Sequence, residues 1–122
     1  MQKLPFLILI ISSMLSGCNN KDYFASAQAT IVDSYTEGDT FYYIIRVEND
    51  EDCDAKNVDI EMEFEFRDSD RSEFSTHRFE LVQSYNSKKE TFSSELKGRS
   101  LYSFGVSNVE VGEAVNCPSS LF

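Results

Sequence analysis

Acidic side chains alternate in ENDEDCD, residues 48 to 54, which places Asp50, Asp52 and Asp54 two apart. Glu61 follows eleven positions after Asp50. Carboxylates at positions 1, 3, 5 and 12 of a loop are the ligand pattern of a calcium site. Position six of this loop is Ala55, where the sharp turn calls for glycine, and Glu61 falls inside a strongly alternating segment. What the pattern supports is a looser calcium site built from Asp50, Asp52 and Asp54, or a solvated acidic loop. A second acidic row, Glu61, Glu63 and Glu65, has strand spacing, with carboxylates about 7 Å apart. Such a row serves as the polar face of a sheet or as a surface for a basic partner. His77 is the one histidine of the chain and shares its alternating face with Phe79 and Leu81, a structural position. No serine pairs with it in a nucleophile motif, and the five glycines form no phosphate loop. These residues point away from an enzyme, and no cofactor other than calcium has ligands here.

Three cysteines remain. Cys18 stands behind LPFLILIISSML, residues 4 to 15, and the small residues Ser16 and Gly17. One positive charge, Lys3, precedes the apolar run. The run is shorter than the roughly 20 residues a helix needs to cross a bilayer, and fits the short apolar region of a signal peptide. Leu15-Ser16-Gly17-Cys18 resembles the lipobox of bacterial lipoproteins. The resemblance implies cleavage before Cys18, acylation of its thiol and amine by lipid chains such as palmitate, and a membrane anchor. Two or three acyl chains hold a protein firmly, at about 0.8 kcal/mol for each buried methylene. Asn19 follows the cysteine, so the inner-membrane retention aspartate is absent. The implied location is extracytoplasmic: the outer membrane of a Gram-negative cell, otherwise the outer face of the cell membrane. Cys53 and Cys117 are then left together in an oxidising compartment, and read as a disulfide.

The 122 residues less the 17 of the leader leave 105, enough for one modest core. Loss of Lys3 takes the net charge from −10 to −11. That balance excludes nucleic acid, whose phosphates call for Lys and Arg, and permits a cationic protein partner in the envelope. Residues 18–26 read as a polar tether and residues 27–122 as the folded domain.

The elements that must position these residues are strands. In VDIEMEFEFR, Val58, Ile60, Met62, Phe64 and Phe66 share one face, with Asp59, Glu61, Glu63, Glu65 and Arg67 on the other. One apolar and one polar face is the signature of an antiparallel sheet. TFYYIIRVEN, residues 40–49, alternates likewise, with Phe41, Tyr43, Ile45 and Val47 together. Further strands are predicted at 29–35, 74–83, 89–94, 100–106 and 108–111, with turns at Glu37-Gly38-Asp39, DSDRS, SYNSKK and LKGRS. About seven short strands and no amphipathic helix predict an all-β, immunoglobulin-like antiparallel β-sandwich. The run NVDIEMEFEFRD, residues 57–68, is similar to the core of FxLYD-type domains, immunoglobulin-like modules of bacterial surface proteins. Phe64 and Asp68 match its name motif, while Phe66 and Arg67 replace Leu and Tyr. Leu96-Lys97-Gly98-Arg99 before Phe104 is similar to the turn ahead of a late strand in such sandwiches. The resemblance spans residues 27 to 111 and implies a fold without an activity.

The function expected is a membrane-anchored, non-enzymatic protein-binding or structural lipoprotein. An inhibitor or immunity lipoprotein that neutralises a cationic enzyme or toxin, and a calcium-dependent binding module, are the two other readings. Tyr42, Tyr85, Tyr102, Phe24 and Phe122 are candidates for an exposed aromatic contact area.

Overall fold

Period-two alternation governs the structure, a computed structural model that describes residues 24–118 in full and residues 11–16 by their backbone. Cys18 and Phe122 lie outside the described residues. The strands are β1 (Ile11–Ser16), β2 (Phe24–Glu37), β3 (Thr40–Asn49), β4 (Asp54–Phe66), β5 (Glu73–Val82), β6 (Asn86–Glu95) and β7 (Leu101–Val115). All pairings are antiparallel, in a four-stranded sheet of order β1-β2-β3-β6 and a three-stranded sheet of order β5-β4-β7. No helix occurs among the described residues.

β3 and β4 carry the strongest alternation and are the inner strands of their sheets. Phe41, Tyr43, Ile45 and Val47 of β3 face Val58, Ile60, Met62, Phe64 and Phe66 of β4 across the core, all buried. Phe79, Val82, Val106, Val109 and Val111 close it from β5 and β7. The connectivity is that of an immunoglobulin-like sandwich. With β2, β3 and β6 as its A, B and E strands, β5, β4 and β7 take the places of C′, C and F. No strand pairs with the outer edge of β7 among the described residues.

Local chemistry sets the irregular points. β2 turns into β3 through Gly38-Asp39, with Gly38 at φ +62°, a conformation glycine adopts without steric cost. Asn57 takes φ +54° and drops out of the pairing of β4 with both neighbours, while the register continues unchanged on either side of it. Gly112 passes so close to it that an added Cβ would lie 2.9 Å from the Asn57 Cβ and 3.0 Å from two carbonyl oxygens.

Two strands differ from expectation. Residues 100–106 and 108–111 form one continuous strand, β7, which absorbs a register shift opposite Glu61/Met62 rather than breaking there. β2 starts at Phe24, so Phe24, Ala25 and Ser26 of the stretch read as a tether are sheet residues. Cys53 and Cys117 are disulfide-bonded with Cα atoms 4.2 Å apart, which fastens the end of β7 to the loop before β4.

Candidate functional site

The outward face of β4 carries the acidic row. Because Val58, Ile60, Met62 and Phe64 are committed to the core, Asp59, Glu61, Glu63 and Glu65 project from the other side of the same strand. β5 and β7 flank the row on either side. Glu61 accepts a hydrogen bond from Ser107 Oγ at 2.8 Å, Glu63 from Ser72 Oγ at 2.6 Å, and Glu65 from Ser103 Oγ at 2.8 Å. Serine hydroxyls orient the three carboxylates without cancelling their charge. Asp59, at the other end of the row, forms a two-pronged pair with Arg78, at 2.8 and 2.9 Å. That guanidinium holds the Asp59 carboxyl below its usual range. Among the described residues no salt bridge reaches Glu61, Glu63 or Glu65.

Aromatic rings border the glutamates. Phe74 stands opposite Glu63 in the register and is 56% exposed; Tyr102, near Glu65, is 52% exposed, with the Arg67 guanidinium 5.6 Å above its ring. Phe74 escaped the sequence reading, because its alternation with Thr76 and Arg78 marks it as outward only once the core face of β5 is known. Tyr85 is exposed far along the fold, donating to Asp52 at 2.6 Å. Tyr42 stacks on Tyr35 at 4.9 Å on the outer face of the other sheet, and Phe24 is half-buried. The aromatic residues singled out in the sequence therefore do not form one patch.

The three aspartates of the acidic loop face different partners. Asp54 accepts from the Ser84 backbone N–H at 2.8 Å and from Asn116 Nδ2 at 2.8 Å. Asp52 accepts the Tyr85 hydroxyl, a bond that raises the tyrosine's pKa. Asp50 is exposed. Among the described residues no group of three or more His, Cys, Asp or Glu side chains is disposed to hold a metal ion.

His77 sits between the sheets. Its ring stacks on Phe92 at 3.9 Å, and Nε2 lies 2.6 Å from the Tyr43 hydroxyl. Burial pushes Tyr43 up to about 12 and His77 below its ordinary value. At neutral pH both groups are thus uncharged and joined by a hydroxyl–imidazole hydrogen bond. Asn49, which the sequence gave no reason to single out, is fully buried. Its Nδ2 donates to the carbonyls of Cys53 and Val82, and its Oδ1 accepts from the N–H groups of Ser26 and Glu51. One side chain ties four segments together.

No family model and no curated protein matches the chain. The FxLYD-type resemblance of residues 57–68 thus finds no family match, while the sandwich it implied is the fold adopted. Among solved structures the chain is similar to the Salmonella enterica trimeric lipoprotein SadB, at 9% identity and a TM-score of 0.47. The match covers 82% of this chain and 58% of that one, so the chain spans somewhat over half of SadB's length. A likeness at this level says nothing about activity.

Proposed function

We propose that this chain is a lipid-anchored envelope protein that acts by binding another protein, with the outward face of β4 as its contact surface. The observation that carries the reading is the row Glu61, Glu63 and Glu65, held by serine hydroxyls, in no salt bridge among the described residues and bordered by Phe74 and Tyr102. Exposed aromatic rings beside oriented charge supply contact area and steering together. The anchor is the acylated Cys18 that the Leu15-Ser16-Gly17-Cys18 motif implies. The partner is a protein with a basic patch. A cationic envelope enzyme or toxin is the version of this reading that the charge of the row favours.

The test is chemical crosslinking of the acylated protein in its own cells, comparing wild type with the Glu61→Gln/Glu63→Gln/Glu65→Gln variant. The uncharged variant keeps every serine hydrogen bond as an acceptor and leaves the core untouched. Loss of one dominant crosslinked protein in the variant is expected, with capture of the wild type weakening as salt rises. Equal capture by both would contradict the assignment of this face.

A further inference from the structure

The outer edge of β2 is covered by a segment of the leader. In the full chain β1 pairs antiparallel with β2, with Ile11 opposite Ala29, Ser13 opposite Ala27 and Leu15 opposite Ala25. These six residues, Ile11–Ser16, belong to the leader that the lipoprotein reading removes. The chain that remains starts at Cys18 and has no residues to occupy that edge from the same position.

The exposed edge is unlike the others. β2 from Phe24 to Thr30, FASAQAT, carries no charge and no proline. Its second half is interrupted by a bulge at Val32 and carries Asp33 and Glu37. β6 carries Lys88, Lys89, Glu90 and Glu95, β5 carries Glu73, Arg78 and Glu80, and β7 carries Glu110 and Glu113. Charge, bulges and proline are how sheet edges avoid unwanted pairing. Once β1 is gone, the first half of β2 is the one edge segment of the described sandwich without any of them.

The same segment is where the core is thinnest. Its inward residues are Ala25, Ala27 and Ala29, small side chains that are 0% exposed with β1 in place. β1 and β2 both lie against β7, on the side where an immunoglobulin-like sandwich would carry the strand after β7. Removing β1 leaves the backbone groups of β2 that paired with it without partners, beside those small side chains.

We infer that, in the processed protein, the Phe24–Ala29 edge of β2 accepts an extended strand from a partner protein. The proposal rests on cleavage before Cys18. The occupant's chemistry follows from the segment seated there in the full chain: about six residues, uncharged, antiparallel to β2, with aliphatic side chains at the positions opposite Ala25 and Ala29. Main-chain hydrogen bonds give such a strand its affinity and the alternate side chains its specificity. A second copy paired through its own β2 would bring only alanine methyl groups to the same gap, which fits it poorly. Six steps of chain separate Cys18 from Phe24, a reach of at most about 20 Å. The partner strand therefore docks close to the membrane surface.

The test uses the acylated protein purified in detergent from cells that process it, with its N-terminus established by intact mass. The probe is a peptide of residues 10–17 with two lysines appended for solubility. With cleavage confirmed, the peptide is expected to slow backbone amide exchange in Phe24–Ala29 by about ten-fold or more, a mark of new strand pairing. The same peptide carrying Ser13→Pro is expected to give no protection. Absence of protection by the unaltered peptide, or amides already protected in a crosslinkable homodimer, would overturn the proposal and leave the lipoprotein reading standing. A mass that retains residues 1–17 would overturn both.

Discussion

Asn49 is the residue on which the loops at the Cys53 end of the sandwich depend. Its amide satisfies two carbonyls and two N–H groups that are otherwise buried beside the core. Asn49→Ala leaves several of them without partners, and is expected to cost about 2–4 kcal/mol of stability. Urea unfolding of the variant measures this directly, and a loss under about 1 kcal/mol would show that water replaces the amide. His77 makes a different prediction. Burial lowers its pKa in the folded state, so below the ordinary value of 6.5 the unfolded chain takes up a proton that the folded chain refuses. This part of the stability is complete above pH 6.5 and is lost as pH falls below it. Thermal unfolding between pH 7.5 and pH 5 is expected to show a falling Tm in the wild type and a flatter profile in His77→Gln. Asp59 and Glu73, held down by Arg78 and Arg99 respectively, lose their contributions only at lower pH, as their carboxylates protonate. In the acidic loop, Asp52 and Asp54 already bind Tyr85, Ser84 and Asn116. Millimolar calcium is therefore expected to leave the Tm unchanged, and a rise of several degrees would show that the loop rearranges around the ion.

At the scale of the element, legibility followed burial. β3 and β4 were readable to within a few residues because each has one face wholly inside the core, and period-two alternation is the trace of that burial. β6 was weakly readable because it is an edge strand exposed on most of both faces, with only Phe92 and Ser94 half-buried. Phe24, Ala25 and Ser26 were read as the end of a tether because the run of small residues there has no hydrophobic contrast. Their burial comes from β1, β3 and β7, which no local pattern encodes. The acidic row was legible as the complement of the β4 core face. Its serine partners were not, since Ser72, Ser103 and Ser107 come from distant positions in the chain. The left-handed backbone at Asn57 was likewise hidden, and it gives this scale its own test. Gly112→Ala places a methyl group against backbone atoms that cannot move without disturbing β4. It is expected to destabilise the fold by about 1–3 kcal/mol, as overpacking does. A Gly112→Ala Tm equal to that of the wild type would contradict the close packing of β7 against Asn57.

For the whole molecule, the disulfide and the anchor proposed at Cys18 act on the same small domain. Cys53–Cys117 spans a sequence separation of 64, which on the loop-entropy model contributes about 4 kcal/mol. Reduction, or Cys53→Ala/Cys117→Ala, is expected to lower stability by an amount of that order and to release the end of β7 from the loop before β4. An unchanged urea midpoint after reduction would show that the hydrogen bond of Asn116 to Asp54 suffices to hold the end of β7. The pairing itself was legible once Cys18 was set aside for acylation, because two cysteines then remained. The central claim is that the acidic sandwich is delivered to a membrane surface by Cys18 and works there by contact. Metabolic labelling with palmitate, followed by separation of membranes from soluble protein, tests it most directly when wild type is compared with Cys18→Ser. The account predicts a labelled, membrane-bound wild type and an unlabelled Cys18→Ser protein that retains its leader. A wild type without label, or a Cys18→Ser variant labelled and processed like it, would contradict the account.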